Sequence, residues 1–378
     1  MPKPLRILHL ITGLNTGGAE LALARLLEVM NQQDFESCVV SMISLGPVGN
    51  QIQSKGFAVF SLDMPPGRAT FAGFVKLIRI IRDFQPQILQ TWMYHADLLG
   101  LIAGKMLRIP AIAWNIRGSE SNFMSSKRMS KIVANICAIL SGWPQAVIVN
   151  SRAGLSAHEN LGYSPRKWCF IPNGIDTIRF SPDPSAGKSL RTQWNIPENV
   201  DIIGMVARID PQKGYHDFLQ AASLVNDKKI NVFFVCVGGG APEFVSELKK
   251  QATKLGIEDK VLWTGPLFDM PAVYNTFSLC VSASAYGEGF PNVVAEAMSC
   301  GIPCVVTKTG DSPDLIADAG LVVAPRDPEA MADAICQILD ASDQERKRLG
   351  AMARQRIIEN FSLDKMVQQY TNLYNQLS

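Results

Sequence analysis

Short apolar runs alternate with helix-patterned segments along this chain, and the whole pattern occurs twice. In the first half RILHLI, SCVVSMI, FAVFSL, ILQTW, AIAWN, AVIVNS and WCFI are separated by segments such as AELALARLLEVM, where Leu23, Leu26, Leu27 and Met30 recur at helical spacing. In the second half DIIGMVA, NVFFVCVG, KVLWTG, LCVSAS, PCVVT and LVVA do the same. Several runs are continuously apolar, as parallel strands covered by helices on both faces must be. The expected fold is α/β, with two doubly wound domains. The chain's 378 residues are enough for two cores. The stretch from Asp176 to Val200 is rich in Ser, Pro and Asn, lacks periodicity and reads as the linker, giving domains over 1–178 and 179–361. The last segment, SLDKMVQQYTNLYNQL, puts Leu363, Met366, Val367, Tyr370 and Tyr374 on one stripe, so it must dock on another element.

Composition narrows the class. Apolar residues make up 47% and charged residues 19%, which excludes a disordered or fibrous chain. The net charge of +2 conceals an asymmetry. Residues 1–180 hold 18 Lys and Arg against 10 Asp and Glu, a net +8; residues 181–378 hold 18 against 24, a net −6. The eight cysteines are scattered, mostly within apolar runs, and no CxxC occurs, so buried free thiols are expected and zinc spacing is absent. The N-terminal MPKPLRILHLITG reads as a first strand, not a signal peptide. An uncharged run between Lys131 and Arg152 is long enough to span a bilayer, but SGWPQ in its middle divides it into a helix end and a strand.

Ligands of such folds bind outside the carboxyl ends of the strands, and four segments merit attention there. TGLNTGGAE follows the first strand; Gly17 and Gly18 allow close backbone approach and expose helix N-terminal amides suited to an anion, although neither a Walker loop nor GxGxxG is present. GMVARIDPQKGYHDF leads a strand through Arg208 and Lys213 into a helix, which is the arrangement of a phosphate clamp. SAYGEGFPNVVAEAM forms a tight loop at Gly287, Gly289 and Pro291, with Pro291 in the first helical turn. Its Glu288 and Glu296 stand about 12 Å apart if the interval is helical, too wide for glycoside hydrolysis but suited to the two ends of a nucleotide sugar. Finally, SKRMSKIVANICAIL places Met129, Ile132, Val133, Ile136 and Leu140 on one face beside Lys127, Arg128 and Lys131, a face for core packing or an anionic membrane surface.

EGFPNVVAE followed by AMSCGIPCVVT resembles the Glu-x7-Glu signature of the retaining family-four glycosyltransferases of GT-B fold. GGAE, HAD at 95–97, IPNGID at 171–176 and ARIDPQKG at 207–214 stand in the order that family uses. The resemblance covers nearly the whole chain. It implies two Rossmann-like domains facing across a cleft, with the C-terminal helix (362–378) returning to the N-terminal, acceptor-side domain. It also implies that Glu296 holds the donor ribose, Glu288 the donor sugar, and Arg208 and Lys213 the diphosphate, with Gly289, Phe290, Pro291 and Asn292 close by. Gly17 and Gly18 would lie under the reacting centre, and His95 would meet the donor sugar near its anomeric carbon. His95, Glu288, Arg208 and Lys213 form the catalytic set; Asn173 and Arg117 are further candidates without an assigned role, and Gly174 serves a turn.

Two positions depart from the family. Ser278 stands where many relatives have an acidic residue, and Gly310-Asp311-Ser312-Pro313-Asp314 replaces the usual Gly-Gly-x-x-Glu. No Asp-x-Asp occurs, so no metal and no cofactor are expected and cations would neutralise the diphosphate. The resulting expectation is a retaining transferase taking sugar from a nucleotide-diphosphate donor to a glycan or lipid-linked acceptor in bacterial polysaccharide biosynthesis, such as lipopolysaccharide or capsule. The alternative is a nucleotide-sugar epimerase of the same fold. The expected location is cytoplasmic and peripheral to the inner membrane face, and no nucleic-acid partner is expected because no reader motif is present.

Overall fold

The computed structural model describes residues 3–117, 128–228 and 231–378. All thirteen apolar runs form strands. Those of the first half are β1 (Leu5–Ile11), β2 (Phe35–Ser41), β3 (Ala58–Ser61), β4 (Ile88–Trp92), β5 (Ala111–Ile116), β6 (Ala146–Val149) and β7 (Trp168–Phe170). They make one parallel sheet in the order β3-β2-β1-β4-β5-β6-β7. Those of the second half are β8 (Asp201–Val206), β9 (Val232–Val237), β10 (Val261–Gly265), β11 (Leu279–Ser282), β12 (Cys304–Thr307) and β13 (Gly320–Val323), ordered β10-β9-β8-β11-β12-β13 and again parallel. Each sheet reverses its winding once, between β1 and β4 and between β8 and β11. A crevice opens at such a switch point because successive helices leave it toward opposite faces.

The chain divides into two compact units, residues 1–174 with 363–378 and residues 175–362. By composition the first holds 18 basic and 10 acidic residues and the second 18 and 24, so the +8 and −6 of the sequence halves belong to these units. In the N-terminal unit the helix Leu363–Leu377 docks its predicted stripe, burying Met366, Val367, Tyr370, Leu373 and Tyr374 in the core that also holds Leu23, Leu26 and Leu27. The stretch read as linker belongs to the C-terminal unit and is not irregular: Pro184–Gln193 is a helix, capped by Asp183 with Pro184 at its first position. Phe180 and Ile196 on either side are buried in that unit's core, and Ile175 N–H donates to Phe361 O at 2.8 Å.

The uncharged run after Lys131 is split as its central Pro144 predicted, into the helix Arg128–Leu140 and β6. Among the described residues no helix is long and apolar enough to cross a membrane. The helix itself splits the predicted apolar face. Its buried face is Val133, Ala134, Cys137 and Ala138, while Met129, Ile132 and Ile136 from the predicted apolar face are exposed. Small side chains let the helix lie close to Tyr94–Met106, where Cys137 Sγ donates to Tyr94 O at 3.4 Å. Lys127 lies outside the described residues. All eight cysteines are free, seven buried and Cys169 half-buried.

Candidate active site

In the N-terminal unit the candidates gather at the β1/β4 switch point. Gly17 caps the helix Gly18–Val29, and a Cβ on it would come within 2.4 Å of Glu20 Oε2, whereas Gly18 has open space. Burial raises the Glu20 carboxyl above its ordinary pKa, against the opposing pull of its own backbone N–H and of Arg117. Across the switch point, His95 is the second residue of the helix Tyr94–Met106. That helix begins abruptly: Met93 sits at φ 74°, a conformation side chains seldom adopt, and its N–H donates to Asn115 O at 3.1 Å. His95 is half-buried, its Nε2 has no hydrogen-bond partner among the described residues, and burial lowers its pKa. Two residues on, Asp97 is fully buried and accepts from Thr91 Oγ1 at 2.5 Å, and burial pushes its carboxyl up to about 7.

Arg117, immediately after β5, is held by neutral groups. Its Nε donates to Asn115 Oδ1 (3.2 Å), Nη1 to Asn173 Oδ1 (2.6 Å) and Nη2 to Tyr370 OH (3.2 Å), and its guanidinium lies 5.0 Å from the Trp92 ring centroid. Arg117 and Asn173 are therefore direct partners, tied through Tyr370 to the returning helix. Gly174 does not serve a turn. A Cβ there would stand 2.8 Å from Leu363 Cα, so its small size is what admits the returning chain.

In the C-terminal unit the candidates gather at the β8/β11 switch point. After β8 the chain passes Arg208, makes a tight turn at Pro211–Lys213, and enters the helix Tyr215–Lys228 through Gly214. Gly214 has φ 70°, and a Cβ there would lie 2.0 Å from Ala283 O, so only glycine fits beside the loop after β11. Both cations hold carboxylates. Arg208 pairs with Asp210 on an exposed side chain, while the largely buried Lys213 pairs with Glu288. Ser284 Oγ donates to the same Glu288 oxygen at 2.5 Å, and Gln212 Nε2 donates to Gly287 O at 2.9 Å. Glu296 has its own environment on the helix Asn292–Ser299, where the fully buried Tyr274 donates to Oε2 at 3.1 Å.

The remaining loop residues fall differently from their predicted places. Pro291 is the cap of this helix, which begins at Asn292, one residue later than expected. The Phe290 ring turns into the core, 5.5 Å from Phe361, so only its backbone is offered to a ligand. Gly310, at φ 53°, would place a Cβ 2.3 Å from Glu288 O, and Asp311 N–H donates to Gly289 O at 3.1 Å. The atypical 310–314 segment thus braces the Glu288 loop from behind. Ser278, the other departure, accepts from Ile202 N–H at 3.3 Å and supports β8.

Two family models divide the chain between them: Glycosyltransferase Family 4 over residues 16–179 and Glycosyl transferases group 1 over residues 188–356. The chain belongs to these glycosyltransferases. Among curated relatives, the UDP-Gal:alpha-D-GlcNAc-diphosphoundecaprenol alpha-1,3-galactosyltransferase of Escherichia coli is 25% identical over 79% of this chain and 78% of that protein. The lipopolysaccharide core biosynthesis mannosyltransferase LpsB of Rhizobium meliloti is 28% identical over 55% of this chain and 60% of its own length. Several other curated relatives are covered over about half their length. Among solved structures, Anabaena Alr3699/HepE in complex with UDP and glucose superposes with a TM-score of 0.84 at 22% identity, over 98% of this chain and 100% of that one. The fold is therefore of GT-B type. The E. coli and Rhizobium relatives are transferases by name, and nothing in these similarities supports an epimerase.

The transferase's sequence concealed the partners of its motif residues. Tyr274 beside Glu296, and Trp92, Asn115 and Tyr370 around Arg117, lie outside every motif, while Ser284 and Gly310 stand in motif segments without an assigned role. Trp92 and Asn115 in apolar strand runs, and Tyr370 on the stripe of the last helix, carried a signal of burial but none of their partner.

Proposed function

We propose that this glycosyltransferase moves a sugar, with retention, from a nucleoside diphosphate sugar bound at the β8/β11 switch point to a hydroxyl of a lipid-linked glycan, without a metal, at an anionic membrane face. One observation carries the reading: a buried Lys213–Glu288 pair and an exposed Arg208–Asp210 pair beside the amino end of the helix that bears Glu296. Each cation is already held by a carboxylate that an incoming diphosphate can replace. When phosphate takes Lys213, the Glu288 carboxylate, still oriented by Ser284, is released to accept hydroxyls of the sugar. Glu296, fixed by Tyr274, accepts the ribose hydroxyls.

As the glycosidic bond breaks, charge accumulates on the departing diphosphate, and Arg208, Lys213 and loop amides stabilise it there. In this reading Arg208 and Lys213 supply the charge neutralisation that a metal would otherwise give. His95, whose Nε2 has no partner among the described residues, is assigned to the transferred sugar, and Gly17 and Gly18 to the backbone beneath it. The UDP complex of the Anabaena protein supports a nucleotide donor, and the diphosphoundecaprenol substrate of the E. coli relative supports the lipid-linked acceptor. The test is a melting-temperature screen against UDP- and GDP-sugars, followed by transfer to a diphosphoundecaprenol-linked amino sugar. A donor that raises the melting temperature and is transferred, with both effects lost in Glu296→Ala, is the expected result. No shift with any nucleotide sugar and no transfer would sink the proposal.

A further inference from the structure

The N-terminal unit carries most of its excess charge in one stretch of sequence. From Leu98 to His158 the chain has seven Lys and Arg and a single acidic residue, Glu120. This is the stretch that supplies Lys105 and Arg108 at the end of the helix Tyr94–Met106 and all of the helix Arg128–Leu140. The same two helices, with the turn that follows the second, hold seven of the twelve large apolar side chains exposed on the described part of this unit. Ile139 is 81% exposed, Met106 56%, Trp143 53% and Ile102 50%. A soluble surface normally scatters such residues; a contiguous group beside cations marks an interface.

The end of this face has a built shape. A hollow of about 580 Å³ is lined by Lys105, Ile139, Ser141, Trp143, Ser164 and Arg166, among others. Lys105 Nζ lies 5.8 Å from the Trp143 ring centroid, and Arg166 Nε donates to Gly142 O at 3.1 Å. Indole, aliphatic side chains and cations thus share one rim, the combination that suits the boundary between lipid headgroups and acyl chains. We infer that this face docks on an anionic lipid bilayer, with Ile102, Met106, Ile139 and Trp143 entering the acyl boundary and Lys105, Arg108 and Arg166 meeting lipid phosphates. A second copy of the chain is the poorer occupant, because a two-fold contact would set this cationic face against itself. The inference gives the membrane clause of the proposed function its surface, and its test does not depend on turnover.

The experiment is co-sedimentation of the full chain with vesicles of phosphatidylcholine alone or with one-third phosphatidylglycerol, at about 0.05 M and about 0.5 M salt. Binding is expected to be at least about tenfold stronger to the anionic vesicles and to weaken at high salt, each cation contributing about fivefold. Ile139→Gln with Trp143→Gln should reduce partition about tenfold on either vesicle, and Lys105→Gln with Arg166→Gln should cut the preference for phosphatidylglycerol about 25-fold. All four positions are on the surface, so melting temperatures should match the wild type. If the apolar pair fails to fold, Ile139→Ser alone decides. Wild-type protein left in the supernatant with anionic vesicles, or variants that bind like wild type, would overturn the inference; so would a dimer in solution that these substitutions dissolve.

Discussion

The two units wind their strands in the same order and arm the same switch point with opposite electrostatics. In the C-terminal unit both candidate cations have a counter-charge: Arg208 with Asp210, Lys213 with Glu288. In the N-terminal unit Arg117 is held by two asparagines, a tyrosine and an indole, Asp97 is buried with a threonine hydroxyl, and His9 is buried against Trp92. Paired charges can be exchanged for a charged ligand at little cost, since one carboxylate leaves a cation as a phosphate arrives. Groups buried among neutral dipoles cannot be exchanged, and they fix the surrounding loops instead. The first arrangement suits a site that binds and releases an anion, the second a scaffold that holds its shape.

The largest predicted effect tests the N-terminal half of that contrast through pH. Burial holds Asp97 protonated up to about 7 from an ordinary 3.8, so the folded state keeps a proton that the unfolded chain releases. Its stabilisation is complete below pH 4 and is lost as pH rises to about 7, a change of up to about 4 kcal/mol. His9 runs the other way: burial lowers it to about 3, so its contribution is present above pH 6.5 and is lost on acidification. The two opposing slopes overlap between about pH 4 and 6.5 and largely cancel in the wild type, so Asp97→Asn should unmask a rise in stability with pH across this window in urea unfolding. An unchanged profile would mean that the carboxyl is ionised in the fold.

Next in size is Lys213→Ala, which removes the buried cation and strands Glu288. Turnover should fall about 10²–10³-fold, and the Glu288 left buried without its cation should cost about 3 kcal/mol of stability as well. A loss below tenfold would place the diphosphate elsewhere. Arg117→Gln should cost about 2 kcal/mol of stability through three hydrogen bonds and a cation–π contact while leaving donor affinity unchanged. Calorimetry on both variants with the nucleotide donor separates them; if Arg117→Gln weakens donor binding as much as Lys213→Ala, the contrast between the units collapses.

The same contrast explains what could be read in the sequence. Strands were legible because runs such as VFFVCVG admit no solvent face, and the motif loops were legible because they lie at strand ends. For the helix Arg128–Leu140 the sequence left core packing and a surface role open for the same apolar face, because periodicity does not say which side meets a neighbour; close packing favoured Ala134, Cys137 and Ala138 and left Met129, Ile132 and Ile136 exposed. The helix at Pro184 was missed although Asp183 and Pro184 form an ordinary start signal, because the absence of apolar periodicity was given more weight. The supports of the site were illegible for a different reason. Tyr274 and Gly310 reach the glutamates from other segments and Ser284 from four residues earlier in the same loop, and nothing local in a serine, a tyrosine or a glycine announces such a partner.

Tyr274 offers the smallest and most discriminating test. Its ring is buried beside Phe180 and Phe277, and its hydroxyl donates to Glu296 Oε2. Tyr274→Phe keeps the ring and its packing and deletes one hydrogen bond, worth about 1 kcal/mol. If Glu296 binds the ribose, the loosened carboxylate should raise the donor KM about fivefold at unchanged kcat, because the ribose lies away from the bond that breaks. The Glu288 side offers the comparison: Ser284→Ala deletes one hydrogen bond to the carboxylate assigned to the sugar itself, and there kcat should fall. A Tyr274→Phe enzyme with reduced kcat and unchanged KM would exchange the roles of the two glutamates.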